Sequence, residues 1–121
     1  MSKVGILLIE DHKLTCKTFS LLAEKHQFKI IAETSTLKEA YSLLKSEKPD
    51  VVILDLVIPG QDVLEFISQV KKNFPNIPII ACSSLREEYV VKQALEAGCF
   101  DYVFKPFNEQ RFVESIKRAV A

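Results

Sequence analysis

The chain has little of what marks disulfide-stapled, metal-clustered or low-complexity proteins. Its 121 residues include only three glycines, five prolines and three cysteines. Cys16, Cys82 and Cys99 are odd in number and show no C-x-x-C spacing, so neither a disulfide framework nor a zinc site is indicated. We expect buried or half-buried free thiols in a reducing compartment. No composition shift marks a linker, a low-complexity segment or a second domain.

The chain also lacks net charge and any long apolar run. Lysine plus arginine number 16, as do aspartate plus glutamate, so bulk electrostatics favour neither direct nucleic acid binding nor an anionic membrane. No apolar run approaches the roughly 18 residues of a membrane span, and the N-terminus lacks the layout of a signal peptide. A hydrophobic content of 48% indicates a globular protein, and a length of 121 residues indicates one domain over residues 1–121. The free thiols predict a cytoplasmic location.

The most informative stretch is an apolar run over residues 51–60, VVILDLVIPG, with a single acid in its middle. Branched apolar residues at this density are typical of a strand buried on both faces in a parallel sheet. The acid, Asp55, would be costly to bury unless it meets a charged partner. We therefore place it at the C-terminal end of the strand, where open α/β sheets bind ligands.

The rest of the chain alternates short apolar runs with amphipathic segments. Besides the strand that contains Asp55, the predicted strands cover 3–9, 28–33, 79–82 and 101–104. The predicted helices begin near His12, Thr36, Asp62, Ser84 and Asn108. Strict alternation implies a parallel sheet with helices on both faces. We predict a single α/β domain with a doubly wound, flavodoxin-like (βα)5 fold and strand order 2-1-3-4-5.

Side-chain patterning also predicts which helix faces turn inward. The first helix carries four residues on one face: Leu14, Thr18, Leu21 and Leu22. The helix after Asp62 carries a similar set: Val63, Phe66, Ile67 and Val70. Residues 84–87, SLRE, match a capping box for a helix that stops at Gly98. Because Ser84 then serves the cap, we expect Ser83 to be free.

Chemically distinct side chains follow four different predicted strands. They are the pair Glu10-Asp11, then Asp55, the pair Ser83-Ser84, and Lys105. Because the C-terminal ends of parallel strands share one edge of the sheet, we expect three carboxylates, a hydroxyl and an ammonium to converge. Like charges about 4 Å apart repel by roughly 4 kcal/mol at an effective dielectric near 20, so the acids call for a cation or a raised pKa. Hard oxygen donors favour Mg²⁺, and this combination suits the formation of an aspartyl phosphate.

Together these motifs resemble the receiver domain of two-component response regulators over essentially the whole chain. The matching segments are residues 9–11 (IED), 54–60 (LDLVIPG), 82–84 (CSS) and 101–107 (DYVFKPF). The resemblance implies Mg²⁺-dependent phosphoryl transfer to Asp55 from a phospho-histidine on a sensor histidine kinase or a phosphotransfer protein. The domain would be a signalling switch rather than a metabolic enzyme, catalysing only its own phosphorylation and dephosphorylation.

The resemblance further implies a metal site at two strand ends. Asp11, Asp55 and the backbone carbonyl of Val57 would bind Mg²⁺. Glu10 stands where aspartate is commoner in the family, and it would bind the ion directly or through water. Gln61 stands where methionine is usual, which could alter the entrance of the site.

The resemblance also implies how a signal leaves the site. Lys105 would hold the phosphoryl group, Ser83 would hydrogen-bond to it, and Tyr102 would be the rotameric switch that turns inward once the group is present. The Lys105-Pro106 bond is cis in such domains. The altered surface would be formed by the fourth helix, the fifth strand and the fifth helix, where a downstream effector domain or protein binds. A phosphorylation-dependent dimer is compatible with the same resemblance.

Other functions of the same fold fit these residues less well or differ in what they require. A flavodoxin would need a phosphate-binding loop where Glu10-Asp11 stands, and an aspartate-nucleophile phosphatase would want a second acid at Val57. A phosphorylation-independent protein-interaction module is the alternative that the fold leaves open. His12 and His26 are predicted to be surface residues with no partner among the site motifs.

Overall fold

A computed structural model describes residues 3–121 and shows five βα units in succession. The strands are β1 (Val4–Ile9), β2 (Phe28–Thr34), β3 (Val51–Asp55), β4 (Ile79–Ser83) and β5 (Asp101–Phe104). The helices are α1 (Lys13–Lys25), α2 (Leu37–Glu47), α3 (Val63–Asn73), α4 (Glu88–Ala97) and α5 (Glu109–Ala119). The strands pair in parallel in the order β2-β1-β3-β4-β5, which confirms the predicted doubly wound, flavodoxin-like topology.

The central strands are buried because they are nearly continuous apolar runs. Both β3 and β4 are buried along their whole length, and β1 is buried from Gly5 onward. In β1, Leu7 and Ile9 pack on one side of the sheet, whereas Ile6 and Leu8 pack on the other, as the two-residue period of a strand requires. With both faces covered, the loops at the strand ends are left to carry function.

Helices α2, α3 and α4 cover one face of the sheet, and α1 and α5 cover the other. On the first face α3 buries the four residues predicted for it: Val63, Phe66, Ile67 and Val70. On the second face the ring of Phe19 packs against those of Phe107 and Phe112, with centroids 4.9 and 5.1 Å away. Aromatic pairs at such distances contribute about 0.5–1.5 kcal/mol beyond the apolar area they bury.

The packing of α1 corrects the inner face predicted for that helix. Leu14 and Leu21 are 79% and 61% exposed, whereas Phe19 and Ala23 are the buried residues of the helix. The reason is the aromatic partner: Phe19 stacks on Phe107, which follows β5. The predicted inner face was therefore wrong at Leu14 and Leu21, whereas Leu22 does pack against the core on this side of the sheet.

The start of α4 corrects the predicted capping box. The helix begins at Glu88, and the residue before it makes no side-chain cap bond. Ser84 is exposed, whereas the Oγ of Ser83 accepts a hydrogen bond from the backbone N–H of Leu85 at 3.1 Å. The prediction that Ser84 serves the cap and leaves Ser83 free was therefore wrong. A serine hydroxyl that closes a local turn competes with a helix start at this point.

Other helix ends agree with their sequence signals. Thr36 caps α2 through its hydroxyl, and Asp62 caps α3 through its carboxylate. Gly98 ends α4 with φ at 128°, a conformation that favours glycine. A Cβ at this position would also lie 2.4 Å from Cγ of Lys71.

Three simpler features of the chain also bear on the sequence predictions. The cysteines are free thiols, two of them buried and one half-buried. The Lys105-Pro106 bond is cis. Within residues 3–121 no helix has both the length and the apolar character needed to cross a membrane.

Candidate functional site

Three of the side chains predicted to meet at the C-terminal edge of the sheet, Glu10, Asp55 and Lys105, contact one another there. Asp55 is the last residue of β3 and Ser83 the last of β4, whereas Glu10 and Lys105 directly follow β1 and β5. The Nζ of Lys105 lies 2.5 Å from Oε1 of Glu10 and 3.4 Å from Oδ2 of Asp55. Groups from three strand ends are thus close enough to interact directly, as the parallel topology predicts.

Asp55 is almost fully buried, and its two carboxylate oxygens have different partners. The residue is 4% exposed. Its Oδ1 accepts a hydrogen bond from the backbone N–H of Val57 at 2.9 Å, whereas Oδ2 faces the Lys105 ammonium. An aspartate that bonds the backbone two residues ahead starts a turn, so the same contact ends the strand and orients the carboxylate.

Glu10 is the buried counterion of Lys105. Its side chain is 1% exposed, with Oε1 bonded to the Lys105 ammonium and Oε2 directed to His12. A buried carboxylate needs such partners, because burial without them is costly. One oxygen of Glu10 is therefore bound by the lysine, and the other contacts the backbone N–H and the ring of His12.

The pKa values of the two buried acids move in opposite directions. Burial and contact with Glu10 raise the pKa of Asp55 from 3.8 to about 6, against the opposing effects of the Val57 N–H and Lys105. Burial also acts to raise the pKa of Glu10, but its hydrogen bonds with Lys105 and Asp55 outweigh that effect and lower it. Asp55 is therefore the acid of this pair that binds a proton more readily.

Two further polar side chains lie at the solvent-exposed rim. The side chains of Asp11 and His12 are 29% and 69% exposed. The Nδ1 of His12 lies 3.2 Å from both Oε2 of Glu10 and Oδ1 of Asp11. The prediction that His12 has no partner among the site motifs was therefore wrong. Its position immediately after the acid pair at the end of β1 was the signal that could have revealed this contact.

The donors at this rim fit a hard divalent cation. One ligand atom each from Glu10, Asp11, His12 and Asp55 lies within 4.8 Å of the others. Carboxylate oxygens are preferred ligands of Mg²⁺, and three acids beside a single ammonium leave negative charge that a cation would neutralise. Glu10, Asp11 and Asp55 could therefore hold the ion. Val57 lies in the adjoining loop, and metal binding by its carbonyl stays a prediction.

A chain of hydrogen bonds links the site to β5 through Leu85. The fully buried Ser83 accepts from the N–H of Leu85, and the carbonyl of Leu85 accepts from the hydroxyl of Tyr102 at 2.7 Å. Burial raises the pKa of this hydroxyl, and Tyr102 is only 6% exposed. The ring is thus already inward here, so the expectation that it turns inward only with a phosphoryl group does not describe this structure.

Gln61 restrains the loop after β3 through contacts that the sequence analysis missed. Its Oε1 accepts a hydrogen bond from the N–H of Leu37 at 2.6 Å, and its Nε2 donates to the carbonyl of Ser35 at 3.2 Å. These bonds hold the loop that follows Asp55 against the start of α2. No local spacing rule joins the two segments, so the sequence carries no signal for this contact.

Known proteins share both the sequence and the fold. The chain matches the family described as "Response regulator receiver domain" over residues 6–117. The chemotaxis protein CheY of Listeria monocytogenes is 28% identical over 114 residues, which cover 94% of this chain and 96% of that protein. The sensory transduction protein LytT of Bacillus anthracis is 31% identical over 114 residues, which cover 93% of this chain and 46% of that protein.

Solved structures agree with this assignment. A LuxR-family two-component response regulator from Aurantimonas superposes with a TM-score of 0.90 at 26% identity, covering 98% of this chain and 86% of that one. A LuxR-family DNA-binding response regulator from Staphylococcus aureus gives a TM-score of 0.88 at 26% identity, covering 98% and 99%. Because the family match spans nearly the whole chain and the topology agrees, this protein belongs to the response regulator receiver domain family of two-component systems.

Proposed function

We propose that this chain, as one receiver domain over residues 1–121, is a switch in which Asp55 accepts a phosphoryl group. The donor would be a phospho-histidine on a sensor histidine kinase or a phosphotransfer protein. Receiver domains are signalling switches that bind Mg²⁺ at an acidic pocket. The observation that carries the proposal is the buried Asp55 carboxylate, 3.4 Å from the Lys105 ammonium and grouped with two further acids.

The residues of the chain supply the nucleophile and much of the charge compensation. A carboxylate oxygen of Asp55 forms a bond to phosphorus as the phosphorus–nitrogen bond of the donor breaks, and the imidazole leaves with that electron pair. Lys105 is placed to stabilise the phosphoryl oxygens as a point charge. Mg²⁺, held by Asp11, Asp55 and the Val57 carbonyl, with Glu10 direct or through water, would neutralise charge on the phosphoryl group.

Lys105 keeps its positive charge for this role. Burial alone would lower its pKa, but the hydrogen bond with Glu10 and the charges of Asp55 and Glu10 outweigh that effect and raise it. The ammonium can therefore exchange part of its contact with Glu10 for a phosphoryl oxygen on Asp55. In dephosphorylation, water attacks phosphorus and the phosphorus–oxygen bond to Asp55 breaks. The Asp55 carboxylate is the leaving group, and inorganic phosphate is released.

The signal is proposed to leave through the surface of α4, β5 and α5. This surface carries exposed Phe100 and Phe104. The guanidinium of Arg86 lies 4.5 Å from the ring centre of Phe104, and that of Arg118 lies 5.7 Å from the ring centre of Phe100. Aromatic residues and arginine are enriched in protein interfaces. We propose that a downstream effector domain or protein, or a phosphorylation-dependent dimer partner, binds to this surface. The proposed domain acts in the cytoplasm and contacts neither nucleic acid nor a membrane directly.

Incubation with a small phosphodonor and Mg²⁺, followed by intact-mass analysis, tests the proposal. We expect one acid-stable, base-labile phosphoryl group that requires the metal and is absent from Asp55→Asn. Glu96→Gln, which alters an exposed acid on α4, is the matched control and should be modified as the parent protein is. An undiminished adduct in Asp55→Asn would overturn the assignment.

A further inference from the structure

We propose that His12 is a ligand of the divalent cation in this pocket, and that it raises the affinity for imidazole-binding metals such as Co²⁺ relative to Mg²⁺. The inference rests on the proposed function, because it assumes that an ion binds among the acids. It adds one nitrogen donor to a site for which the family resemblance names only oxygens.

The position of His12 fits one coordination shell. Its Nδ1 lies 3.2 Å from Oε2 of Glu10 and 3.2 Å from Oδ1 of Asp11, and the candidate donors, with Asp55, lie within 4.8 Å of one another. Ligand atoms about 2.0–2.4 Å from an ion lie up to about 4–5 Å apart. A single ion between these groups can therefore reach the imidazole as well as the carboxylates.

Lys105 occupies one carboxylate oxygen that could otherwise bind the metal ion, so a further metal ligand would complete the site. Its ammonium binds Oε1 of Glu10, which leaves Oε2 as the oxygen that Glu10 can offer. His12 faces that oxygen. A ring nitrogen of His12 can therefore take the place of Oε1 of Glu10 as a metal ligand. Because imidazole is neutral, it adds no negative charge to a site that already holds three acids.

In the described part of the chain, the His12 ring makes no packing or capping contact that metal binding would break. His12 is the N-cap residue of α1, yet its side chain makes no cap hydrogen bond. It is 69% exposed, and its ring contacts within residues 3–121 are to the two acids. A small rotation can therefore present a ring nitrogen to an ion without loss of packing.

The preference of the site for Co²⁺ over Mg²⁺ shows whether His12 binds the ion or only lies near it. Imidazole suits ions such as Co²⁺, Ni²⁺ and Zn²⁺, whereas Mg²⁺ prefers oxygen and retains several waters. An all-carboxylate site would also bind Co²⁺ more tightly than Mg²⁺. The informative quantity is therefore the change in the ratio of the two affinities when the imidazole is removed.

Calorimetric titration of the metal-free chain with Co²⁺ and, separately, with Mg²⁺ tests the proposal. In His12→Ala we expect Co²⁺ binding at least about tenfold weaker, with Mg²⁺ binding within about twofold of the parent value. The matched control is His26→Ala, because His26 is the other histidine of the chain and pairs with Glu109 at 2.7 Å instead. This control should leave both affinities unchanged. Equal loss of both metals in His12→Ala would overturn the proposal.

A second measurement needs no variant that must fold. In the Co²⁺-loaded parent chain with ¹⁵N-labelled histidine rings, a coordinated His12 imidazole should show a large through-bond contact shift, whereas His26 should show at most a small through-space shift. A His12 ring with only a through-space shift would overturn its role as a ligand. If His12→Ala binds Co²⁺ as the parent does while Asp55 is still phosphorylated with Mg²⁺, this inference fails and the proposed function stands. Failure of Mg²⁺-dependent phosphorylation in the parent chain would overturn the proposed function itself.

Discussion

Burial of the Asp55 carboxylate lowers the free energy of unfolding of the protein. It is buried against the Glu10 carboxylate, and its pKa is raised to about 6. Between pH 3.8 and about 6 the folded chain binds a proton that the unfolded chain does not. The contribution of Asp55 to stability therefore falls as the pH rises through that window, and the full cost is present above it.

Replacing Asp55 by asparagine should therefore stabilise the metal-free protein above about pH 6. A shift of roughly two pKa units corresponds to about 3 kcal/mol. Loss of the contact with Lys105 offsets part of this, so we expect the free energy of unfolding to rise by about 2 kcal/mol. Near pH 4 the difference should shrink, because Asp55 is then protonated in the folded parent chain. Urea unfolding at both pH values measures the effect. A destabilised Asp55→Asn above pH 6 would show that the lysine contact outweighs burial.

At the scale of secondary-structure elements, a charged cluster joins β5 to α5. Arg111 donates to both carboxylate oxygens of Asp101 at 2.8 and 3.0 Å, and the buried Ser115 donates to one of them at 2.7 Å. Burial acts to raise the pKa of Asp101, but the bonds from Arg111, Ser115 and the Tyr102 N–H outweigh it and lower it to about 2. Arg111 also donates to the carbonyl of Tyr102, so the cluster supports the strand that carries the tyrosine.

Asp101→Asn should weaken this joint in a pH-dependent way. At neutral pH we expect a loss of about 1–2 kcal/mol in the free energy of unfolding, discounted for the partly exposed Arg111. Because the pKa of Asp101 is lower in the folded chain, its stabilisation is present above pH 3.8 and is lost as the pH falls to about 2. Thermal unfolding against pH measures this. Glu114→Gln, which removes an exposed contact with Arg118 at 3.7 Å, should change little. A deficit in Asp101→Asn that persists unchanged to pH 2 would contradict an ionic origin.

The turn between β4 and α4 is the element that can pass a change at Asp55 to Tyr102. Ser83 and Tyr102 both bind the backbone of Leu85: the Ser83 hydroxyl accepts from its N–H, and the Tyr102 hydroxyl donates to its carbonyl. A phosphoryl group on Asp55 would offer new acceptors to the Ser83 hydroxyl. Drawing that hydroxyl away would release the Leu85 N–H.

A phosphoryl mimic should therefore speed amide exchange at Leu85 in the parent chain. A net hydrogen bond of about 0.5–1.5 kcal/mol corresponds to an increase of up to about tenfold. In Ser83→Ala the amide should exchange fast from the outset and respond little, although Asp55 still accepts the group. Ser84→Ala, at the neighbouring exposed position, should behave as the parent chain does. A full response in Ser83→Ala would mean that the coupling runs through another element.

At the scale of the whole molecule, local periodicity predicts the fold because a parallel sheet repeats one simple unit. Alternating apolar and amphipathic segments predict the topology, and the topology brings Glu10, Asp55 and Lys105 to one edge. The inner face of α3 follows from its own pattern. The inner face of α1 does not, because Phe107 decides it from a distant part of the chain.

The details that the sequence does not predict share one physical cause. Each of these details depends on where an individual side chain points. They are the contact of His12 with the acids, the two hydrogen bonds of Gln61 and the turn closed by Ser83. Such directions are set by packing between segments, and period and capping rules describe only the segments themselves.

Locating the phosphoryl group within the chain is a direct test of the role proposed for Asp55. After reaction with a small phosphodonor and Mg²⁺, borohydride reduces an aspartyl phosphate to homoserine, which peptide mass spectrometry can place on the sequence. We predict homoserine at position 55 alone, and none when the metal is omitted or when Asp55 is replaced by asparagine. Homoserine at position 11, or a stable phosphoryl group on His12 or Ser83, would contradict it.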